Sequence, residues 1–310
     1  MRVLVLGAGG TGGYFGGRLA QSGADVTFLV RGPRVAALRD HGLQLRSPLG
    51  DAHVAVQAIA ADELADAAPF DLVLLSCKAY DLDSAIDDIA PAVGEGTCVL
   101  PILNGLRHYA ALDARFGEQR VLGGLCFISA MKGPNGEVLH LGRPASITFG
   151  ERGGDVDSHR TAQFARLCEQ AGIDHVRSMH IAQEQWAKYT FLTALAAGTC
   201  LMRASVGGIV ATEGGDTFMR ALYRECLRVA EAAGEPVAES AQHNALATLT
   251  QSGSSLTASM LRDLQAGQAV EAEQIVGDML HRAHAAQQDA PLLAAAWCHL
   301  QAYQAQRTTA

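Results

Sequence analysis

Three glycines near the N-terminus, Gly7, Gly9 and Gly12, have the G-x-G-x-x-G spacing of a loop that can hold the pyrophosphate of a dinucleotide. The first glycine permits a tight turn, the second lets the backbone approach the phosphates, and the third lets a helix pack closely on a strand. The phosphates then accept hydrogen bonds from unpaired N–H groups at the helix N-terminus. The residues predicted to bind them are Gly7, Ala8, Gly9, Gly10, Thr11 and Gly12.

The segments that flank this loop distinguish a binding site from a glycine-rich turn that binds nothing. Residues 3–6 form a short apolar run typical of a strand buried on both faces. Residues 14–21 carry apolar side chains at helical spacing, Gly23 ends that helix, and residues 24–30 form a second strand. Because the loop lies inside a βαβ unit, we predict that it binds a dinucleotide.

The residue at the end of the second strand indicates which dinucleotide. An NAD site usually has Asp or Glu there to accept from the ribose hydroxyl, but this chain has Arg31, and Asp25 lies at the other end of the strand. A guanidinium binds a 2′-phosphate with two hydrogen bonds, whereas a carboxylate repels it. The sequence therefore predicts NADP, used as NADPH. The alternative is that Arg31 and Arg34 are solvated loop charges.

Two more polar residues follow apolar strands predicted at 70–76 and 96–103. They are Lys78 and Asn104, and ligands of doubly wound sheets bind beyond the carboxyl ends of the strands. Alone, Lys78 is typical of an exposed lysine, and Asn104 of an Asn-Gly turn. Together with Arg31 at matching strand ends, they favour a cofactor pocket.

Alternating strands and helices in the first half predict a doubly wound, mainly parallel sheet, and helical periodicity dominates from about residue 180. We therefore predict an α/β fold with a Rossmann-type domain over 1–178 and a mainly helical domain over 179–310, with Gly198, Gly234 and Gly253 as helix breaks. Predicted helices cover residues 34–41, 81–90, 181–197, 215–233, 238–250, 255–264, 270–287 and 291–306, and further strands cover 43–46, 53–59, 121–130, 137–141 and 146–149.

The composition narrows the class of protein. The chain has 310 residues, 49% of them hydrophobic, which favours a globular protein with two domains. A net charge of −8 without a long basic run argues against nucleic acid and anionic membranes as partners. No apolar stretch reaches the roughly 18 residues of a membrane span, and no signal peptide is recognisable. Seven cysteines without a C-x-x-C pair indicate thiols in a reducing cytoplasm and no metal site.

The helical half must supply the acid or base that completes hydride transfer. Lys188 lies in the apolar segment 186–192, so it either extends to the surface or lies in a cleft where it can act as a general acid. Ser259 can cap its helix or donate to a substrate carboxylate. Glu271 and Glu273 can form a solvated helix start or serve as catalytic carboxylates. The residues alone leave these alternatives open.

The order of these residues resembles the ketopantoate reductase (2-dehydropantoate 2-reductase) family across both halves of the chain. The resemblance implies a 6-phosphogluconate-dehydrogenase-like two-domain enzyme that reduces ketopantoate to pantoate with NADPH, on the way to pantothenate and coenzyme A. The matching pieces are Gly7-x-Gly9-x-x-Gly12, Arg31, Lys78, Leu103-Asn104-Gly105, Trp186-Ala187-Lys188, and Ser259 to Asp263 followed by Glu271.

The resemblance also implies roles for single residues. Lys188 would be the general acid and contact the substrate. Asn104 would hold both the nicotinamide end of the cofactor and the substrate, and Ser259 would bind the substrate carboxylate. Glu271 would contact the cofactor ribose or the substrate hydroxyl, and Ala130 would line the cofactor.

One departure from the family pattern concerns the substrate. Typical members carry asparagines four and eight residues after the lysine, where this chain has Leu192 and Ala196. Each missing donor is worth on the order of 1 kcal/mol towards a polar substrate, so a more apolar 2-keto acid is an alternative substrate. A non-catalytic NADP-sensing protein and a related dehydrogenase working in the oxidative direction remain further alternatives. A homodimer through the helical domain is expected by analogy.

Overall fold

The computed structural model describes residues 1–155 and 157–309; Val156 and Ala310, which fall within the two predicted domains, lie outside the described residues. The strands are β1 (Val3–Leu6), β2 (Val26–Leu29), β3 (Leu43–Arg46), β4 (Ala52–Val54), β5 (Gln57–Ile59), β6 (Leu72–Leu75), β7 (Cys98–Pro101), β8 (Gly123–Lys132), β9 (Val138–Gly150) and β10 (Asp174–Arg177). The helices are α1 (Gly10–Gln21), α2 (Pro33–His41), α3 (Leu82–Ile89), α4 (His108–Phe116), α5 (His159–Gln170), α6 (Ile181–Met202), α7 (Val206–Val210), α8 (Gly215–Ala232), α9 (Glu239–Leu249), α10 (Ser259–Gln265), α11 (Asp278–Ala285) and α12 (Pro291–Thr309).

The chain forms two compact units. The first comprises Met1–Leu103 and His108–Ile181, and the second comprises Asn104–Arg107 and Ala182–Ala310. The second unit therefore takes in a four-residue segment that lies far from the rest of it in the sequence. The division into domains after residue 178 stays a prediction.

β1 is the central strand of a five-stranded parallel sheet in the first unit, with the order β5-β2-β1-β6-β7. Every residue of β1, β2, β6 and β7 is buried, as apolar runs of this kind require. Val3 pairs with both Val26 and Leu72, so β1 lies between β2 and β6. The carboxyl ends of these strands meet at one edge of the sheet, and the predicted Rossmann-type fold is confirmed.

A second, mixed sheet follows the path β10-β9-β3-β4, with β8 paired to β9. The single strand predicted over 53–59 is wrong: β4 pairs with β3 in this sheet, whereas β5 pairs with β2 in the first. The two strands predicted over 137–141 and 146–149 are one strand, β9. Pro144 lies where the register of β8 against β9 shifts, so its missing N–H interrupts no regular ladder.

The second unit is mainly helical, as predicted, but several of its helices differ from the prediction. Gly198 does not end a helix, because α6 continues to Met202. A Cβ at Gly198 would lie 2.6 Å from Met219 Sδ of α8, so the glycine permits close helix packing rather than a break. The helix predicted from residue 255 begins at Ser259. The helix predicted over 270–287 contains a π-helix, Glu273–Gly277, before α11.

Each unit has its own apolar core. The core of the first includes Phe15 of α1 and Phe28 of β2, and the core of the second includes Tyr189 of α6 and Tyr223 of α8. Tyr189 is 1% exposed, so its burial fixes the rotation of α6 and the direction in which the adjacent Lys188 points. Among the described residues, no helix combines the length and the apolar character needed to cross a membrane.

Candidate functional site

The glycine loop of the first unit joins β1 to α1. Gly7 has φ +87°, which favours glycine, and Gly9 is the N-cap residue of α1. No side chain caps this helix, and its first turn holds no acidic residue. A Cβ at Gly9 would have nothing within 4 Å, so the backbone there faces open space. Unpaired N–H groups beside open space fit the pyrophosphate of a dinucleotide.

The other glycines of the loop are needed for close packing. A Cβ at Gly12 would clash with Ser76 Oγ and lie 2.7 Å from the carbonyl oxygen of Gly7. A Cβ at Gly10 would clash with the backbone carbonyl of Ala130. Ala130 lies inside β8, directly after its register shift. The strand predicted over 121–130 would have ended at this residue. The structure therefore brings Ala130 next to the predicted phosphate loop.

Arg31 follows β2, and its side chain is 61% exposed. Its Nε and Nη2 donate to Asp88 Oδ2 at 3.0 and 2.6 Å, and Nη2 also donates to Ser84 Oγ at 2.9 Å. The hydrogen bond with Asp88 raises the pKa of Arg31, while burial opposes the rise. Arg31 is therefore a cation that a ligand can reach, but α3 already binds its guanidinium.

The two other basic residues near these strand ends differ in their surroundings. Lys78 follows β6, is half-buried and is the N-cap residue of a short 3-10 helix, Ala79–Asp81. Arg34 lies on α2, and its Nη2 donates to the carbonyl oxygen of Gly136 at 2.6 Å. Burial lowers the pKa of Arg34. Arg34 therefore holds the turn between β8 and β9.

Lys188 and Asn104 are in direct contact within the second unit. Lys188 Nζ donates to Asn104 Oδ1 at 3.2 Å, and both side chains are half-buried. Asn104 precedes Gly105, whose φ of +78° makes the turn that directs the asparagine side chain. This hydrogen bond orients the Lys188 ammonium, a group that can donate a proton.

Gln274 supports Asn104 from the π-helix and was missed by the sequence reasoning. The buried Gln274 donates from Nε2 to the carbonyl oxygen of Asn104 at 3.1 Å. A Cβ at Gly105 would lie 2.5 Å from the carbonyl oxygen of Gln274, so glycine allows the two backbones to approach. The only available signal was a glutamine next to the apolar residues Ile275 and Val276.

A second hydrogen-bond network connects α6 to the π-helix and to α11. Tyr189 donates from its hydroxyl to Asp278 Oδ2 at 2.9 Å, and the carbonyl oxygen of Ile275 is a second acceptor at 3.1 Å. Asp278 also accepts from Arg282 Nε at 2.8 Å. Burial, with a smaller effect of Asp278, raises the pKa of Tyr189 well above its usual value. Tyr189 therefore remains a neutral donor that locks the helix carrying Lys188.

The remaining predicted residues lie on other elements of the second unit. Ser259 is the first residue of α10, where no side-chain cap forms, and it is half-buried. Glu271 is 8% exposed and lies just before the π-helix. Glu273 is partly exposed and pairs with Arg107. Of the predicted site residues in this unit, Lys188 and Asn104 are joined by the hydrogen bond described above.

Leu192 and Ala196, the positions where asparagines were expected by resemblance, differ in exposure. Leu192 is half-buried, whereas Ala196 has no exposed surface and belongs to the core of the second unit. One turn further on, Thr199 Oγ1 donates to the carbonyl oxygen of Leu195 and accepts from the N–H of Ala258. Of the two positions, only Leu192 has surface that a ligand could contact.

Comparison with known proteins finds a matching family, related sequences and similar solved structures. The sequence model of ketopantoate reductase PanE/ApbA matches residues 3–154, and that of its C-terminal part matches residues 180–304. The uncharacterized oxidoreductase YkpB of Bacillus subtilis (strain 168) is 36% identical over 99% of this chain and 100% of its own length. The 2-dehydropantoate 2-reductase of Halobacterium salinarum is 31% identical over 91% of this chain and 92% of its own. The crystal structure of 2-dehydropantoate 2-reductase from Geobacter metallireducens GS-15 has a TM-score of 0.87 and 29% identity, covering 97% of this chain and 99% of its own.

Proposed function

The chain belongs to the ketopantoate reductase PanE/ApbA family, and from this membership we propose that it reduces a 2-keto acid with NADPH, with ketopantoate as substrate and pantoate as product. Membership makes the protein an oxidoreductase that acts on a keto or CH–OH group with a nicotinamide dinucleotide. The observation that carries the proposal is the hydrogen bond from Lys188 Nζ to Asn104 Oδ1.

The residues of the second unit suit the proton-transfer part of this reaction. The reduced nicotinamide, when bound, supplies a hydride. Lys188 Nζ donates a proton to the carbonyl oxygen as negative charge develops on it, which stabilises the transition state more than the ground state. Asn104 orients Nζ by accepting one of its hydrogen bonds. We assign Ser259 to the substrate carboxylate and Glu271 to the cofactor ribose or the substrate hydroxyl.

The glycine loop and the basic residues of the first unit suit the cofactor. Gly9 and the uncapped start of α1 provide N–H donors beside open space for the pyrophosphate. Arg31 carries positive charge at the position where an NAD site usually carries a carboxylate, which supports NADPH over NADH. Lys78 adds a second basic side chain after β6, and Ala130 borders the loop.

Replacing Gln274 with alanine should lower kcat by about tenfold, since it removes the hydrogen bond to the Asn104 carbonyl oxygen and loosens the turn that presents its amide to Lys188. KM for the cofactor should stay unchanged. Glu273→Ala is the matched control, because it removes a surface ion pair to Arg107 worth at most about 1 kcal/mol. Equal kcat values for the two variants, at equal melting temperatures, would rule out a positioning role for Gln274.

The half-buried Leu192 supports a second candidate substrate class. A leucine in place of an amide removes a donor for a polar hydroxy-keto acid and adds apolar surface. A branched or aromatic 2-keto acid is therefore the second candidate substrate. Ala196, being fully buried, contributes less to this argument.

The experiment that tests the function is NADPH oxidation by the purified protein on a panel of 2-keto acids that includes ketopantoate. Turnover of ketopantoate with the highest kcat/KM supports the first substrate, and higher kcat/KM for branched or aromatic acids supports the second. Cofactor binding without turnover of any 2-keto acid would instead point to an NADP-sensing protein.

Leu192→Asn should raise kcat/KM for ketopantoate, relative to an apolar 2-keto acid, by about fivefold, the equivalent of one added hydrogen bond of about 1 kcal/mol. Leu192→Ala is the control, because it removes the apolar side chain without adding a donor. The two variants are compared on the same pair of substrates. If Leu192→Ala changes the substrate preference as much as Leu192→Asn does, residue 192 selects by size and not by hydrogen bonding.

The cellular setting follows from the same proposal. We propose a cytoplasmic enzyme of pantothenate and coenzyme A biosynthesis that forms a homodimer through the helical part. None of the seven cysteines, all within the described part of the chain, forms a disulfide. Burial raises the pKa of Cys98, Cys168 and Cys200 to about 12, so these thiols stay protonated and inert. Buried, protonated thiols of this kind suit a reducing compartment.

A further inference from the structure

Asp88 of α3 is bonded to the guanidinium that we assign to the 2′-phosphate of NADPH. We propose that Asp88 is a specificity-determining residue that competes with this phosphate for Arg31 and so reduces the preference of the protein for NADPH over NADH. The inference rests on the proposed use of Arg31 for cofactor binding. It concerns Asp88 and Ser84, to which neither the sequence pattern nor the resemblance assigns a role.

Asp88 and Ser84 already accept from most of the N–H donors of Arg31. A guanidinium has five N–H donors, one on Nε and two on each Nη. Asp88 Oδ2 accepts from Nε at 3.0 Å and from Nη2 at 2.6 Å, and Ser84 Oγ accepts from Nη2 at 2.9 Å. These contacts use three donors. A phosphate that binds with two parallel hydrogen bonds needs either the Nε–Nη2 edge or the Nη1–Nη2 edge, and both include an N–H group in use.

The acceptors on α3 are held in place by the helix. Ser84 and Asp88 are four residues apart, so their side chains lie on the same face. Ser84 Oγ donates its own hydrogen to the carbonyl oxygen of Asp81 at 3.0 Å, which leaves its lone pairs for Arg31. The side chain of Asp88 is 24% exposed, against 61% for Arg31, so the carboxylate is the more shielded partner. This pair is therefore more organised than a typical surface ion pair.

The two cofactors meet this arrangement differently. The 2′-phosphate of NADPH carries between one and two negative charges near neutral pH, and its approach to Arg31 brings it close to the Asp88 carboxylate. Repulsion between these groups, together with the hydrogen bonds that Arg31 must give up, opposes binding. NADH has a neutral hydroxyl at the same position and meets no such repulsion. Asp88 therefore lowers the affinity for NADPH more than the affinity for NADH.

The test uses equilibrium binding without substrate, measured by titrating the protein with NADPH and NADH and following the fluorescence of the bound nicotinamide. Asp88→Asn keeps an oxygen acceptor for Arg31 but removes the charge, so it should lower Kd for NADPH about three- to tenfold and change Kd for NADH less than about twofold. Asp87→Asn is the matched control: it removes the same charge from the adjacent, exposed residue of α3. It should change the ratio of the two Kd values little.

Arg31→Ala separates this inference from the function on which it rests. If Arg31→Ala leaves the Kd for NADPH unchanged, Arg31 does not bind the 2′-phosphate and the proposed cofactor preference fails. If Arg31→Ala weakens the binding of NADPH, the effect of Asp88→Asn on Kd should disappear in the Arg31→Ala background. A double-mutant cycle measures this coupling. Weaker NADPH binding by Asp88→Asn would instead mean that Asp88 positions Arg31 for the phosphate, and equal effects of Asp88→Asn and Asp87→Asn would mean a general charge effect. Either result overturns the proposal.

Discussion

Lys188→Ala lowers kcat for reduction of the 2-keto acid by about 10²- to 10⁴-fold, the range typical of the loss of a general acid. The binding of NADPH should change little, because its contacts are assigned to other residues, among them the glycine loop and Arg31. Stopped-flow measurement of NADPH oxidation at saturating substrate gives kcat directly.

Two controls make this result specific to the ammonium group. Lys132→Ala removes an exposed lysine from β8 and should leave turnover unchanged. Added ethylammonium should restore part of the activity of Lys188→Ala, because it supplies the missing donor in the space that alanine leaves. Undiminished turnover by Lys188→Ala would exclude the role proposed for Lys188 and leave Asn104 without its partner.

Gly9→Ala and Gly12→Ala should separate cofactor binding from folding. Gly9→Ala should raise Kd for NADPH about tenfold or more, since the added methyl fills the open space beside the N–H donors and hydrogen bonds to a charged phosphate are worth about 1.5–3 kcal/mol each. Its stability should be unchanged, because Gly9 has φ −85°, which alanine adopts readily. Gly12→Ala should instead destabilise the fold by about 1–3 kcal/mol, since its Cβ clashes with Ser76.

Thermal unfolding and cofactor titration are measured on both variants. Gly96→Ala, at a loop position where a Cβ has open space and no binding role is assigned, is the control for the substitution itself. Tight NADPH binding by Gly9→Ala would exclude the loop as the pyrophosphate site. An unchanged melting temperature for Gly12→Ala would show that the packing of α1 on Ser76 relaxes without cost.

Local patterns in the sequence were enough to predict four of the five strands of the first sheet, β1, β2, β6 and β7. The apolar strands of β1 and β6 and the glycine spacing between β1 and α1 are contiguous signals with a direct backbone consequence. The second sheet was not predicted, because the decision that β4 pairs with β3 while β5 pairs with β2 depends on contacts made far along the chain. Gly198 was wrongly predicted to end a helix for the same reason. Glycine is needed there because Met219 of another helix approaches closely.

The candidate site, too, could be predicted only in part from the sequence. Lys188 and Asn104 could each be proposed as site residues from type, position and resemblance, whereas the hydrogen bond between them was not predicted. Gln274 could not, because its role depends on a π-helix, and a turn with one extra residue leaves no distinct periodicity in the sequence. Nor does any local pattern connect Arg31 to Asp88, which is 57 residues away along the chain.

The segment Asn104–Arg107 makes the helical unit discontinuous, and this has a consequence for how the unit is assembled. During synthesis the segment emerges about 170 residues before Gln274, the donor to the Asn104 carbonyl oxygen. Because contacts of such long sequence separation close late, this turn and the Lys188–Asn104 pair should form only after most of the chain has been made. A fragment that starts at Ala182 lacks Asn104 altogether. Splitting the gene at the apparent boundary would therefore give a helical bundle whose lysine has lost its amide partner.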